Sequence, residues 1–179
     1  IPVAAGLGGG SSDAAAVLLG LNHLYGRPFD QAALMAMGLA IGADVPFFLF
    51  GQPALAAGVG EQLIPCRNLA PYHALLVYPG VGIATAEVFK NLNLRLTKCE
   101  KKLRSFLLKK EAFAAGVHLC NDLESPAIQM CPDIMTIKSA LSAQGAEGTF
   151  MTGSGSAVVG LFKNVQAAQQ AREGLAVHD

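Results

Sequence analysis

Gly6-Leu7-Gly8-Gly9-Gly10-Ser11-Ser12-Asp13 joins an apolar start, Ile1-Pro2-Val3, directly to an alanine-rich helical stretch. Four glycines and two hydroxyls ahead of a helix are the makings of an anion site. Glycine reaches positive φ and admits close approach, so successive backbone N–H groups can converge on a phosphate. The helix adds its unpaired amino-terminal amides and the positive end of its dipole. Two well-known phosphate patterns do not fit. The P-loop needs a lysine before its Ser/Thr, and none stands between Ile1 and Arg27; the dinucleotide fingerprint needs a third glycine where Ser11 stands. A flexible Gly/Ser linker is the plain alternative, and the direct join to a strong helix former argues against it.

Working outward, Ser11 or Ser12 is placed to cap the helix, with Asp13 in its first turn where negative charge suits the dipole. Ala14, Val17, Leu18, Leu21, Leu24 and Tyr25 recur at three and four, which predicts a helix to about Tyr25, ended by Gly26-Arg27-Pro28. Asp30 caps a second helix from Gln31 to about Ile41. Gly42-Ala43-Asp44-Val45-Pro46 breaks that helix, and Phe47 to Phe50 reads as a buried strand or turn. Asp44 is thereby a lone acid in an apolar corner.

From Pro53 to Cys66 the pattern predicts a hairpin turning at Gly58-Val59-Gly60-Glu61, and Tyr72 to Tyr78 predicts a strand. Pro79-Gly80-Val81-Gly82 turns the chain, and Thr85 starts a short helix carrying Val88 and Phe89. Arg95, Lys98, Lys101, Lys102, Arg104, Lys109 and Lys110 then gather within one stretch, in which Leu96, Cys99, Leu103, Phe106 and Leu107 share one helical face. Acids are interspersed and no aromatic platform accompanies the bases, so this is an amphipathic helix with a solvated basic face. Asn121-Asp122-Leu123-Glu124 opens further helix, with Pro126 and Pro132 as punctuation and Ile134 to Ala143 as another amphipathic helix closed by Gly145. Thr149 to Met151 is a strand, Thr152-Gly153-Ser154-Gly155-Ser156 a second glycine/hydroxyl turn, and Ala157 to Phe162 a strand. Asn164 caps a last helix through Val177. Helices first and then strands mixed with helices suit an α+β fold better than a doubly wound sheet.

A 179-residue chain that is 52% apolar can bury a real core as one domain or two small ones. Thirteen bases balance thirteen acids, so no general attraction to nucleic acid or to an acidic membrane surface is expected. Cys66, Cys99, Cys120 and Cys131 form no CxxC pair, which fits free thiols in a reducing cytosol and predicts a cytoplasmic protein. Cys120, Cys131 and His118 lack the paired spacing of structural zinc. The most apolar window, Gln31 to Phe50, contains Asp44 and Pro46, and a carboxylate inside a span costs up to about 3 kcal/mol. A buried core segment accounts for it better, and no secretory signal pattern opens the chain.

Three segments together, Pro2 to Ala15, Gly42 to Pro46 and Thr152 to Ser156, resemble the GHMP kinases in order and spacing, and the resemblance covers essentially the whole chain. It implies a partial ribosomal-S5-domain-2-like nucleotide domain over residues 1–68, followed by a ferredoxin-like C-terminal domain over residues 69–179. It implies that Pro2, Val3, Ala4, Ala5, Gly6, Leu7, Gly8, Gly9, Gly10, Ser11 and Ser12 wrap the phosphates of ATP, with Ser12 a partner of Mg²⁺. Asp44 is then the acid-base residue that accepts the proton of the substrate hydroxyl, the role phosphoryl transfer asks of a carboxylate. A helix-end cap, or a loop acid paired to a base, is the structural alternative for Asp44. Thr85 and Phe89 match positions on the substrate side, where a helix cap and a core aromatic explain them almost as well. Gly153, Ser154 and Gly155 match a motif whose glycines let a turn pack close to the phosphate loop; an ordinary hairpin turn is the other reading.

Within the family, Ile41 to Pro46, Gly58 to Glu61 and Pro79-Gly80-Val81 are most similar to members that phosphorylate a cytidine diphosphate polyol in the non-mevalonate isoprenoid route. The partner implied is that small molecule, with no nucleic acid and no membrane. A homoserine or mevalonate type of kinase is the alternative within the family, and a nucleotide-binding protein without chemistry the alternative outside it. One feature departs from the family pattern. Members carry an earlier motif with a lysine that pairs with the catalytic aspartate, and no such motif stands among these residues. The chain is therefore expected to be a segment of a longer protein, short of core strands and inactive alone.

Overall fold

The computed structural model describes residues 1–66, 69, 71–93 and 118–176. The chain divides into two compact units, Gly8–Asn68 on one hand and Ile1–Leu7 with Leu69–Asp179 on the other. In the first unit, helix α1 spans Gly9–Leu24, α2 spans Gln31–Ile41 and α3 spans Val45–Phe50, followed by a hairpin of β1 (Ala54–Ala57) and β2 (Gln62–Pro65). Asp30 caps α2 as its sequence position predicts, its Oδ1 accepting from the Ala33 N–H at 2.8 Å.

The start of α1 differs from expectation. Gly8, at φ 64°, stands at the N-cap with no side-chain cap bond, so Ser11 and Ser12 lie inside the helix and Asp13 falls beyond its first turn. Glycines 9 and 10 accept helical geometry, and the left-handed residue before them sets the entry by backbone alone, which brings the helix start forward. The first intrahelical bond is already made by the Ser12 N–H to the Gly8 carbonyl at 2.9 Å. Phe47 to Phe50 is likewise corrected: it belongs to helix, not strand or turn, and Phe47 is partly exposed. Proline is tolerated in a first helical turn, where its missing N–H has no partner to lose, so Pro46 starts α3 instead of blocking it.

Ala15, Leu34, Val45 and Leu49 form the core of this unit. Asp44, immediately before α3, is exposed, so the apolar corner consists of its neighbours Val45 and Pro46 while the carboxylate stands in solvent. The predicted hairpin is present, with Ala54 opposite Pro65 and Ala57 opposite Gln62. At its tip, the N–H groups of Glu61 itself and of Val59 hold the Glu61 carboxyl below the usual carboxylate range.

In the second unit, β3 (His73–Val77), β4 (Gly148–Met151) and β5 (Val158–Phe162) form an antiparallel sheet in the order β3-β5-β4. Four helices are described with it: α4 (Thr85–Lys90), α5 (Glu124–Met130), α6 (Asp133–Ala143) and α7 (Val165–Ala176). Strand, helices, hairpin, helix, with the first strand beside the third, is the path of a ferredoxin-like split β-α-β unit. Val88, Ile134, Leu141, Met151, Val158 and Phe162 are buried in one core between sheet and helices. Asn164 caps α7 through the Ala167 N–H at 2.8 Å, as predicted. Pro126 sits inside the first turn of α5 and so does not act as the punctuation expected of it. The expected basic helix around Arg95 to Lys110, and Val177, lie outside the described residues. Among the described residues no helix is long and apolar enough to cross a membrane.

Two helical glycines give opposite expectations. A Cβ on Gly38 in α2 would come within 2.6 Å of Leu49 Cδ1 and 3.1 Å of Val45 Cγ1, whereas one on Gly20 in α1 meets nothing within 4 Å. Gly20→Ala should therefore raise stability by about 0.5–1 kcal/mol and Gly38→Ala should lower it by about 1–2 kcal/mol, read by urea unfolding. Equal shifts of one sign would contradict this packing.

Candidate active site

The segment before Gly8 belongs to the second unit, and three of its successive carbonyls are occupied there. The Ala4 carbonyl accepts from the Ile83 N–H at 2.9 Å, Ala5 from the Ala157 N–H at 3.1 Å, and Gly6 from the Thr152 hydroxyl at 3.0 Å. Across a planar trans peptide the next N–H points opposite to the carbonyl. The amides of Ala5, Gly6 and Leu7 are therefore each directed away from the group that holds the preceding carbonyl. Backbone donors turned away from those contacts, in a loop of left-handed residues with Ala4 at φ 54° and Gly6 at φ 74°, are what an anion requires.

Glycine is obligatory at this contact. A Cβ on Gly6 would stand 2.1 Å from the Thr152 carbonyl oxygen and 2.8 Å from the Gly155 nitrogen, and one on Gly153 would stand 2.7 Å from the Gly6 carbonyl oxygen. The Thr152–Ser156 turn thus packs backbone to backbone against the loop, which distinguishes it from an ordinary hairpin turn. Its register is set by the sheet, since Met151 and Val77 both face Val158 at the strand ends.

Three further side chains fasten the turn. Ser156 is fully buried and donates its hydroxyl to the Val81 carbonyl. The Ser154 hydroxyl lies 2.8 Å from that of Thr85. Asn121 Nδ2 donates to the carbonyls of Met151 and Gly153 at 2.8 and 2.7 Å. Thr85 opens α4 and Phe89 follows one turn later on the same face, while buried Val88 anchors the helix. Phe89 is 56% exposed, so the core-aromatic alternative does not describe it. Asn121 had no assigned role from sequence; its partners lie 30 and 32 residues away, and only the NDLE wording ahead of a helix hinted at it.

In the first unit the remainder of the loop, Gly8 to Ser12, forms the entry and first turn of α1. A Cβ on Gly8 would lie 2.9 Å from Phe48 Cζ, so the ring of Phe48 covers the loop there. Asp44 precedes Phe48 by four residues, with Asp44 at the N-cap of α3 and Phe48 within the helix. No side-chain cap bond engages Asp44, so the helix-cap alternative does not account for it. Gly60, at φ 116°, lets the hairpin tip close on the break before Asp44: a Cβ there would sit 2.8 Å from the Ala43 carbonyl oxygen. Among the described residues no three His, Cys, Asp or Glu side chains group to hold a metal ion.

Comparison with known sequences bears directly on these three segments. The GHMP kinases N terminal domain matches residues 1–52, and the GHMP kinases C terminal domain matches residues 103–177. The chain belongs to the GHMP kinases. A relative from Pelobacter propionicus, named 4-diphosphocytidyl-2-C-methyl-D-erythritol kinase, is 48% identical over 175 residues, covering 98% of this chain and 62% of the relative. This GHMP kinase chain thus spans about three-fifths of the length of the curated relatives it matches. A crystal structure of 4-(cytidine 5'-diphospho)-2C-methyl-D-erythritol kinase superposes with a TM-score of 0.77 at 38% identity, over 99% of this chain and 64% of that one. Homoserine kinase from Cytophaga hutchinsonii superposes at 0.80 with 19% identity, over 100% of this chain and 64% of that one, a likeness of fold alone.

The Gly6 contact makes a sharp expectation for this GHMP kinase. Gly6→Ala must displace backbone atoms and hold alanine at positive φ, so it should cost about 2–4 kcal/mol in urea unfolding. Wild-type stability in that variant would contradict the backbone contact with Thr152 and Gly155.

Proposed function

We propose that this chain carries the phosphoryl-transfer machinery of an enzyme that uses ATP to phosphorylate the 2-hydroxyl of 4-diphosphocytidyl-2-C-methyl-D-erythritol, a step toward isoprenoid precursors. The observation that carries the ATP part is the Ala4, Ala5 and Gly6 carbonyl arrangement, which leaves the loop amides to an anion. The substrate rests on the relative at 48% identity and the solved structure at 38%, both named for that molecule, against 19% for the homoserine kinase.

In this reading Pro2 to Ser12 hold the triphosphate and orient its γ-phosphorus. Asp44 accepts the proton of the 2-hydroxyl as that oxygen attacks; the bond from the γ-phosphorus to the bridging oxygen breaks, and ADP leaves. An exposed carboxylate on a rigid helix start suits this part, because it is accessible to a substrate hydroxyl. Thr85 and Phe89 line the substrate side, and the exposed ring offers a planar face to a nucleobase. Mg²⁺ would offset the charge on the β- and γ-phosphates, and Ser12 supplies a hard hydroxyl oxygen of the kind it takes. The division into an ATP-binding part, residues 1–68, and a C-terminal domain, residues 69–179, belongs to the same reading. So does a cytoplasmic setting, where ATP and a nucleotide-linked polyol are both available; nucleic acid and membrane have no part in it.

Asp44→Asn in the full-length protein should lower kcat by roughly 10²–10⁴ while leaving ATP affinity within about threefold. Near-normal turnover would overturn the base assignment. A panel of the cytidine diphosphate polyol, homoserine and mevalonate decides the substrate: phosphorylation of homoserine or mevalonate alone would overturn the assignment, and ATP binding with no turnover on any would favour a non-catalytic protein.

A further inference from the structure

Asn121 and Glu124 flank a short turn that enters α5, and both reach the far end of β4. Asn121 Nδ2 has two hydrogens and uses both, on the carbonyls of Met151 at 2.8 Å and Gly153 at 2.7 Å. Its Oδ1 accepts from the Leu123 N–H at 3.0 Å, which fixes the amide orientation. Glu124 Oε2 accepts from the Met151 N–H at 3.4 Å, and its other oxygen pairs with Lys138. One residue after Met151 stands Thr152, whose hydroxyl holds the Gly6 carbonyl, and beyond it Ala157 holds Ala5.

We propose that Asn121 is a positioning residue for ATP: together with Glu124 it clamps the Thr152–Ser156 turn, and through that turn it fixes the Ala5–Gly6 end of the phosphate loop. The inference rests on the reading of that loop as the ATP site. Asn121 touches neither nucleotide nor acceptor; it acts through backbone. Holding the Gly153 carbonyl on one side directs the Ser154 N–H to the other, across a planar peptide. The Gly153 carbonyl therefore cannot rotate toward the loop, where it would repel a phosphate. Asparagine is required here for its two donors and not for its size. Aspartate has the same shape but presents acceptors to two carbonyl oxygens, which drives the turn away from its seat.

The test uses full-length protein and two variants, Asn121→Asp and Leu141→Ala. Leu141 is fully buried in the core of the same unit and takes no part in these hydrogen bonds, so it reports simple loss of stability. A loss of folded population lowers apparent kcat and leaves KM values unchanged. Asn121→Asp should raise the KM for ATP at least tenfold, raise the KM for the acceptor alcohol less than threefold, and weaken ADP binding by calorimetry to match. Leu141→Ala should leave both KM values and ADP affinity within twofold. Unchanged ATP KM and ADP affinity in Asn121→Asp, or the same change in Leu141→Ala, overturns the inference while wild-type binding stands. Failure of the wild-type protein to bind ADP or ATP overturns the kinase reading and this inference with it.

Discussion

Everything else in the candidate site depends on one contact, the backbone of Gly6 lying against the backbone of Gly153 and Gly155. No side chain fits between them: an added Cβ at Gly6 would be 2.1 Å from a carbonyl oxygen. Close approach brings the Thr152 hydroxyl and the Ala157 N–H onto successive loop carbonyls. With those carbonyls engaged, the successive amides of Ala5, Gly6 and Leu7 point away from the groups that hold them, the arrangement the proposed ATP site uses. The energetic logic is that of any preorganised electrostatic site, in which donors are oriented before the charge arrives and pay no reorganisation when it does. A late turn near residue 154 thereby sets the backbone of a loop near residue 6.

The rest of the second unit supports that contact. The strand ends at Met151 and Val158 bring the turn to the loop, buried Ser156 ties it to Val81, and Asn121 ties it to α5. The first unit, taken by itself, holds the second half of the loop as the start of α1, and the short helix α3 with Asp44 at its N-cap and Phe48 within it. Gly38 permits α2 and α3 to pack closely enough for Val45 and Leu49 to share a core with Ala15. Asp44 is thus held by backbone and core, and its carboxylate is left to solvent.

Much of this was legible in the sequence where the signal is local. Asp30 and Asn164 were readable as caps because an N-cap bond reaches only three residues, and the Gly58–Glu61 turn because hairpin chemistry is confined to its tip. The family resemblance rested on three short segments, and the matches to both GHMP kinase domains agree with it. The errors were local too. Pro46 looks like a breaker in a one-dimensional pattern, yet in the first turn of α3 it costs nothing. Gly9 and Gly10 look like loop, yet they accept helix once Gly8 sets the entry. Asp44 reads as a lone acid in an apolar corner because its neighbours are apolar, and its carboxylate turns outward from them. Asn121 was not legible at all, since its meaning lies in partners 30 and 32 residues further on.

The central claim is that the amides from Ala5 to Ser11 hold the phosphates of ATP, the Ser12 amide being taken by the Gly8 carbonyl. Backbone N–H chemical shifts of the isotope-labelled full-length protein, titrated with a non-hydrolysable ATP analogue and Mg²⁺, test it most directly. The account predicts that the largest shift changes fall on Ala5 to Ser11, with smaller ones in the Thr152–Ser156 turn. Saturable nucleotide binding whose changes leave Ala5 to Ser11 untouched would contradict it.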